Sequence, residues 1–180
     1  LAETKLLQHK YQDALNLLEE YSQLTGLPRY LTLKASALDG LGQTEASYKT
    51  LKHAVDIHGD SIETSNLLAE MFIKKDAFED AKKHIDIALQ IDQNAITTRL
   101  LLAQFHTKTK AYQSALTEYK NLKVSHPENE QVLFGLTRLY LKTDRLTQAL
   151  NEVVLLRSVA PNNPYAKLLH SSIIALQGDS

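Results

Sequence analysis

One spacing governs this chain. Gly42, Asp76, Lys110, Asp144 and Gly178 each stand 34 residues after the last, where one apolar helical pattern breaks off and another begins. A period of that length describes pairs of helices joined by a tight turn. One such pair cannot bury its apolar face alone, so successive pairs must stack. The slots around the turns agree. Five residues after them stand Ser47, Ala81, Ala115 and Ala149, and seven before them Ala35, Ala69, Ala103, Thr137 and Ser171. Leu38, Phe72, His106, Tyr140 and Ile174 follow three residues after the second set as larger partners. Small residues at one height and large ones a turn away let antiparallel helices approach closely and interlock.

This pattern predicts helices at 9–24, 28–40, 44–58, 62–74, 78–91, 96–108, 112–125, 130–142, 146–159 and 164–177, and no strand. Pro28 and Pro164 suit the first turn of a helix, while Pro127 and Pro161 follow helix ends. Asp76, with Glu79 three residues on, reads as a capping box for the next helix.

A formal net charge of −1 leaves no electrostatic footprint for nucleic acid or anionic lipid. The absence of cysteine removes thiolate chemistry and cysteine-based zinc sites. No apolar run reaches the length of a membrane span. The seven histidines show no His-Glu-x-x-His pattern; His106 and His170 fall in packing slots and His58 and His126 in inter-repeat loops. Gly40-Leu41-Gly42 follows a helix and has Glu45 where a dinucleotide loop needs its third glycine. No Gly-x-Ser-x-Gly elbow is present. The expectation is a protein that is not an enzyme and has neither cofactor nor metal. Lys74, Lys108 and Lys142 repeat at helix C-termini, where a cation complements the helix dipole, so they are read as a dipole feature rather than a phosphate track.

These residues resemble the tetratricopeptide repeat. Lys110-Ala111-Tyr112-Gln113-Ser114-Ala115, followed by Tyr119 and Pro127, is a good copy of its turn and second helix, with Lys for the usual turn Gly. Asp76-Ala77-Phe78-Glu79-Asp80-Ala81, followed by Ala88, is another, whereas Thr44 and Ser47 depart from the pattern. The resemblance implies an all-α fold, a right-handed α-solenoid of stacked antiparallel helix pairs. It divides the chain into a partial repeat at 1–26, mainly a second helix, repeats at 28–61, 62–95, 96–129 and 130–163, and a lone first helix at 164–180. Both ends cut through repeats. The chain therefore reads as a window of a longer array, or as a short protein that self-associates through uncapped ends.

In this family the first helices line a concave groove. The resemblance implies that a protein or peptide partner meets Asn66, Glu70 and Lys74, then Leu100, Gln104 and Lys108, then Phe134, Arg138, Leu141 and Lys142, then Tyr165 and Leu168. Arg29, Asp39 and Glu63 belong to the same series in the polar N-terminal half. Leu100, Phe134, Leu141, Tyr165 and Leu168 gather apolar surface in the C-terminal half, as binding sites do. The family's carboxylate clamp for chaperone tails is not matched, since Thr32/Ser36, Asn66/Glu70, Leu100/Gln104 and Phe134/Arg138 occupy its positions. The implied function is a non-catalytic interaction scaffold.

The stretches Leu101–Phe105, Leu133–Tyr140 and Ala160–Ala166 are also similar to bacterial envelope repeat lipoproteins that accompany exopolysaccharide production and PEP-CTERM sorting. That similarity implies a periplasmic or outer-membrane-attached scaffold. A cytosolic adaptor, or the regulatory portion of an enzyme whose catalytic domain lies outside this chain, is the alternative.

Overall fold

The backbone reverses through a residue in the left-handed region at each internal turn: φ is 57° at His9, 75° at Gly42, 56° at Asp76, 62° at Lys110 and 57° at Asp144. The computed structural model describes residues 1–178, and among the described residues there are eleven α-helices and no strand. Around Gly42 the Gln43 N–H donates to the Leu38 carbonyl at 2.9 Å, and the Gly42 N–H to that of Asp39 at 2.9 Å. The same two bonds recur around Asp76, from Ala77 to Phe72 and from Asp76 to Ile73, and around Asp144, from Arg145 to Tyr140 and from Asp144 to Leu141. These Schellman pairs satisfy carbonyls that a helix end otherwise leaves without partners. Glycine adopts this conformation without steric cost, whereas Lys110 must bear it with a Cβ.

Asp76 therefore closes one helix rather than opening the next. The N-cap of the following helix is Ala77, with no side-chain cap, which corrects the capping box expected from Asp76 and Glu79. A reciprocal box stands instead at Ser61 and Thr64, each side chain accepting the other's backbone N–H at 3.1 Å.

The chain forms two compact units. The first, Leu1–Asn94, holds α1 (Ala2–Leu7), α2 (Tyr11–Glu20), a 3-10 turn (Ser22–Leu24), α3 (Pro28–Gly40), α4 (Thr44–His58), α5 (Ile62–Lys74) and α6 (Phe78–Ile91). Its small slots lie at the helix crossings, with Ala35, Ser47, Ala69 and Ala81 all buried. The Ser47 hydroxyl donates to the Ala35 carbonyl at 2.8 Å, so this polar residue in an alanine slot is satisfied. The helix expected over 9–24 breaks at Tyr21 into the 3-10 turn. This is also the stretch between His9 and Gly42, which are 33 residues apart rather than 34.

The second unit, from Ala95 onward, holds α7 (Ile96–Lys108), α8 (Tyr112–Ser125), α9 (Glu130–Lys142), α10 (Leu146–Val159) and α11 (Pro164–Gly178). Ala103, Ala115, Thr137 and Ala149 are fully buried at its crossings. Leu136, Leu139, Val153 and Ile173 join the three alanines in one apolar cluster, each of the four worth about 1.5–3 kcal/mol of burial. Tyr119 fills a slot that holds Leu51, Ile85 and Val153 in the other second helices. Its room comes from Gly135, which replaces Leu33, Leu67, Leu101 and Leu169 of the other first helices. Glu152 is 8% exposed and accepts two bonds from Lys123 Nζ at 2.7 Å, which compensates the desolvated carboxylate. The turn expected at Gly178 falls at the end of α11, and 179–180 lie outside the described residues.

Candidate protein-interaction faces

Side chains on the first helices that do not pack between helices remain to meet solvent, and the two units use them differently. In the first unit they are tied into ion pairs between neighbouring repeats. Arg29 reaches Glu63 at 2.5 Å and Glu3 at 2.8 Å. The Glu3 hydrogen bond and the Glu63 charge hold the guanidinium above its ordinary pKa. Lys74 Nζ lies 2.7 Å from Asp39 and 3.3 Å from Glu70. Burial acts to lower the Lys74 pKa, but Asp39 and Glu70 outweigh it and raise it. Exposed pairs of this kind contribute at most about 1 kcal/mol each, so they orient this face more than they stabilise it. Asn66, expected beside them, is half-buried. Also in this unit, Tyr30, Lys34, Lys49 and His53 line a hollow of about 400 Å³ that no sequence pattern announced.

In the second unit the acids at these repeat positions are gone. The positions of Glu70 and Asp39 pass to Gln104 and Thr107, then to Arg138 and Leu141. Gln104, Lys108, Arg138 and Lys142 are exposed. The Arg138 guanidinium sits 5.6 Å from the Phe134 ring centroid, and Tyr165 meets that ring edge-on at 6.3 Å. Phe134 is half-buried, packed on the cluster of Leu133, Leu156 and Ala166. Tyr165 and Leu168 are 64% and 65% exposed. Leu141 is half-buried against the main cluster.

Phe134, Arg138 and Tyr165 are thus brought together, with Leu168 one turn beyond Tyr165 on α11, and Glu70 and Lys74 form a separate set in the first unit. Leu100 does not belong to either face. It is 4% exposed and sits in the apolar cluster with Ala103 and Leu116, so its place among the exposed apolar residues is corrected. The ion pairs of Arg29 and Lys74 were missed, although opposite charges 34 and 35 residues apart on successive first helices were a usable signal. Among the described residues no group of three or more His, Asp or Glu is placed to hold a metal ion, and no helix is long and apolar enough to cross a membrane.

Stacked helix hairpins of 34-residue period, with small residues at their crossings, define a helical-repeat protein of the tetratricopeptide type. The chain belongs to the family described as Tetratricopeptide repeat protein 21 ARM repeat, whose sequence model matches residues 23–172. It is 27% identical over 158 residues to the anaphase-promoting complex subunit CDC16 of Saccharomyces cerevisiae. That match covers 83% of this chain and 18% of the relative, so the chain spans less than a fifth of that protein. Its fold is similar to that of TTC0263, a thermophilic TPR protein of Thermus thermophilus, with a TM-score of 0.84, 17% identity, and 97% of this chain and 100% of that one covered. PilW, a type IV pilus biogenesis factor, superposes with a TM-score of 0.82 at 17% identity over 100% of this chain and 84% of its own. At such identities the likeness concerns the fold, and this fold suggests a protein–protein interaction scaffold.

Proposed function

We propose that the chain is a non-catalytic scaffold that holds a protein or peptide segment against the first-helix face of its second unit. The observation that carries this reading is the cluster at Phe134, where two largely exposed side chains, Tyr165 and Leu168 one turn beyond it, stand beside an arginine lying over an aromatic ring. Scattered exposed apolar residues are ordinary. Grouped beside Arg, they have the composition of an interaction hot spot.

A photo-crosslinking phenylalanine analogue placed at Gln104, Lys142 or Leu168 in cells tests the reading. Crosslinks to another polypeptide should form there and not from Thr117, an exposed position on α8. Equal crosslinking from Thr117, or none from the three sites, overturns it. Leu168→Asp should abolish capture with helical circular dichroism unchanged, since its side chain is not core.

A finer reading sets the scaffold in a bacterial envelope assembly linked to exopolysaccharide or protein sorting, periplasmic or attached to the outer membrane. The envelope-lipoprotein resemblance of Leu133–Tyr140 and its companion stretches supports this reading. Fractionation of the full-length protein tests it: recovery in the cytosol overturns it and favours a cytosolic adaptor.

A further inference from the structure

We propose that the first-helix face of the second unit selects an acidic polypeptide segment bearing an aromatic or long aliphatic anchor. This rests on the scaffold reading above and names the chemistry of its ligand. The first support is a charge pattern along the first helices. One repeat position runs Glu70, Gln104, Arg138, while the position four residues on keeps a lysine throughout, Lys74, Lys108 and Lys142. Lys74 is neutralised by Glu70 and Asp39. Lys108, Arg138 and Lys142 have no ion-pair partner among the described residues. α7 and α11 contain no acidic residue, and the one on α9, Glu130, is hydrogen-bonded to the Asn163 side-chain amide.

The second support is the apolar surface beside those cations. Arg138 lies over Phe134, a cation–π contact that steadies the guanidinium and leaves its fork of donors available to a carboxylate. Tyr165 meets the same ring and Leu168 stands one turn further along α11, both with most of their surface in water, so an anchor side chain landing there buries apolar area on both partners. Desolvation by that anchor would strengthen the neighbouring Arg–carboxylate pair. A polynucleotide fits less well. It would need a longer track of cations, and Leu141 and Leu168 offer bases no hydrogen bond.

Selection of a random displayed-peptide library on the whole chain tests the proposal. Enriched sequences should place Asp and Glu around a Phe, Tyr, Leu or Ile. A labelled peptide made from their consensus should bind about tenfold or more weakly to the Arg138→Glu/Lys142→Glu variant, and weaken with added salt. Both positions are exposed, so circular dichroism of the variant should match the parent; if it does not, Lys108→Glu/Lys142→Glu takes its place with the same expectation. Basic or uncharged enriched sequences, or an affinity indifferent to charge reversal, overturn the proposal and leave the scaffold reading standing. Tighter binding of a single-stranded RNA oligonucleotide than of the consensus peptide also overturns it. No enriched sequence at all overturns it together with the groove reading.

Discussion

The ring of Tyr119 lies so close over Gly135 that a Cβ at Gly135 would stand 2.3 Å from Cε1. Tyr119 is buried in the main cluster of the second unit, so the ring has nowhere to swing. The two positions are a matched exchange of size, a large ring on one helix and no side chain on the other.

Gly135→Leu should therefore destabilise the protein, by roughly 1–3 kcal/mol in urea unfolding, although leucine is the better helix former. Pairing it with Tyr119→Val, which restores the residue types of other repeats, should recover most of that loss. Additive costs in the double variant would refute the exchange.

Tyr119 also sets an alkaline limit. Burial pushes its pKa up to about 12, against smaller lowering effects of Arg138 and a Thr107 hydrogen bond. The unfolded chain releases this proton near pH 10 while the folded one retains it. The contribution is complete below pH 10 and is lost as pH rises from there toward 12, on the order of 2–3 kcal/mol in all. Tyr119→Phe should flatten the fall in unfolding free energy between pH 10 and 12. Burial raises the Tyr30 and Tyr140 pKa as well, so a shallower decline should remain.

Lys110 holds a φ of 62° without help from its side chain. Lys110→Gly should stabilise by about 0.5–1 kcal/mol, the relief of left-handed strain exceeding the added freedom of the unfolded chain. Gly42→Ala, at the equivalent turn, should move the midpoint in the opposite direction.

Lys123→Met would leave the Glu152 carboxylate without the cation that supplies both its bonds. A cost of about 1–3 kcal/mol is expected from the unpaired buried group. Glu152→Gln should cost less, since its carbonyl still accepts from Lys123.

The repeat was legible because it is written in covalent spacing. The bounds of α3 through α10 coincide with the helices expected from the turn and small-residue slots. What failed needed the backbone path or a neighbour's side chain. Aspartate suits both a helix start and the left-handed region, and the Schellman bonds at Asp76 decide for the latter. Leu100 and Phe134 occupy the same repeat position, yet one is core and the other half-exposed, because the surrounding residues differ in size from repeat to repeat. Lys74 and Asp39 carry a signal in their 35-residue separation, but whether they meet depends on how the lysine side chain reaches across a repeat boundary to the short aspartate.

The broken helix at Tyr21 has a bearing on how such a chain tolerates changes of length. One residue inserted within 109–111 would spin α8 by about 100° and carry Ala115 out of the crossing it fits. The connector at 21–27, where the spacing runs one residue short, already departs from α-helix into a 3-10 turn. Natural indels, epitope tags and split points for fragment complementation should be accepted at that joint and rejected at the hairpin tips.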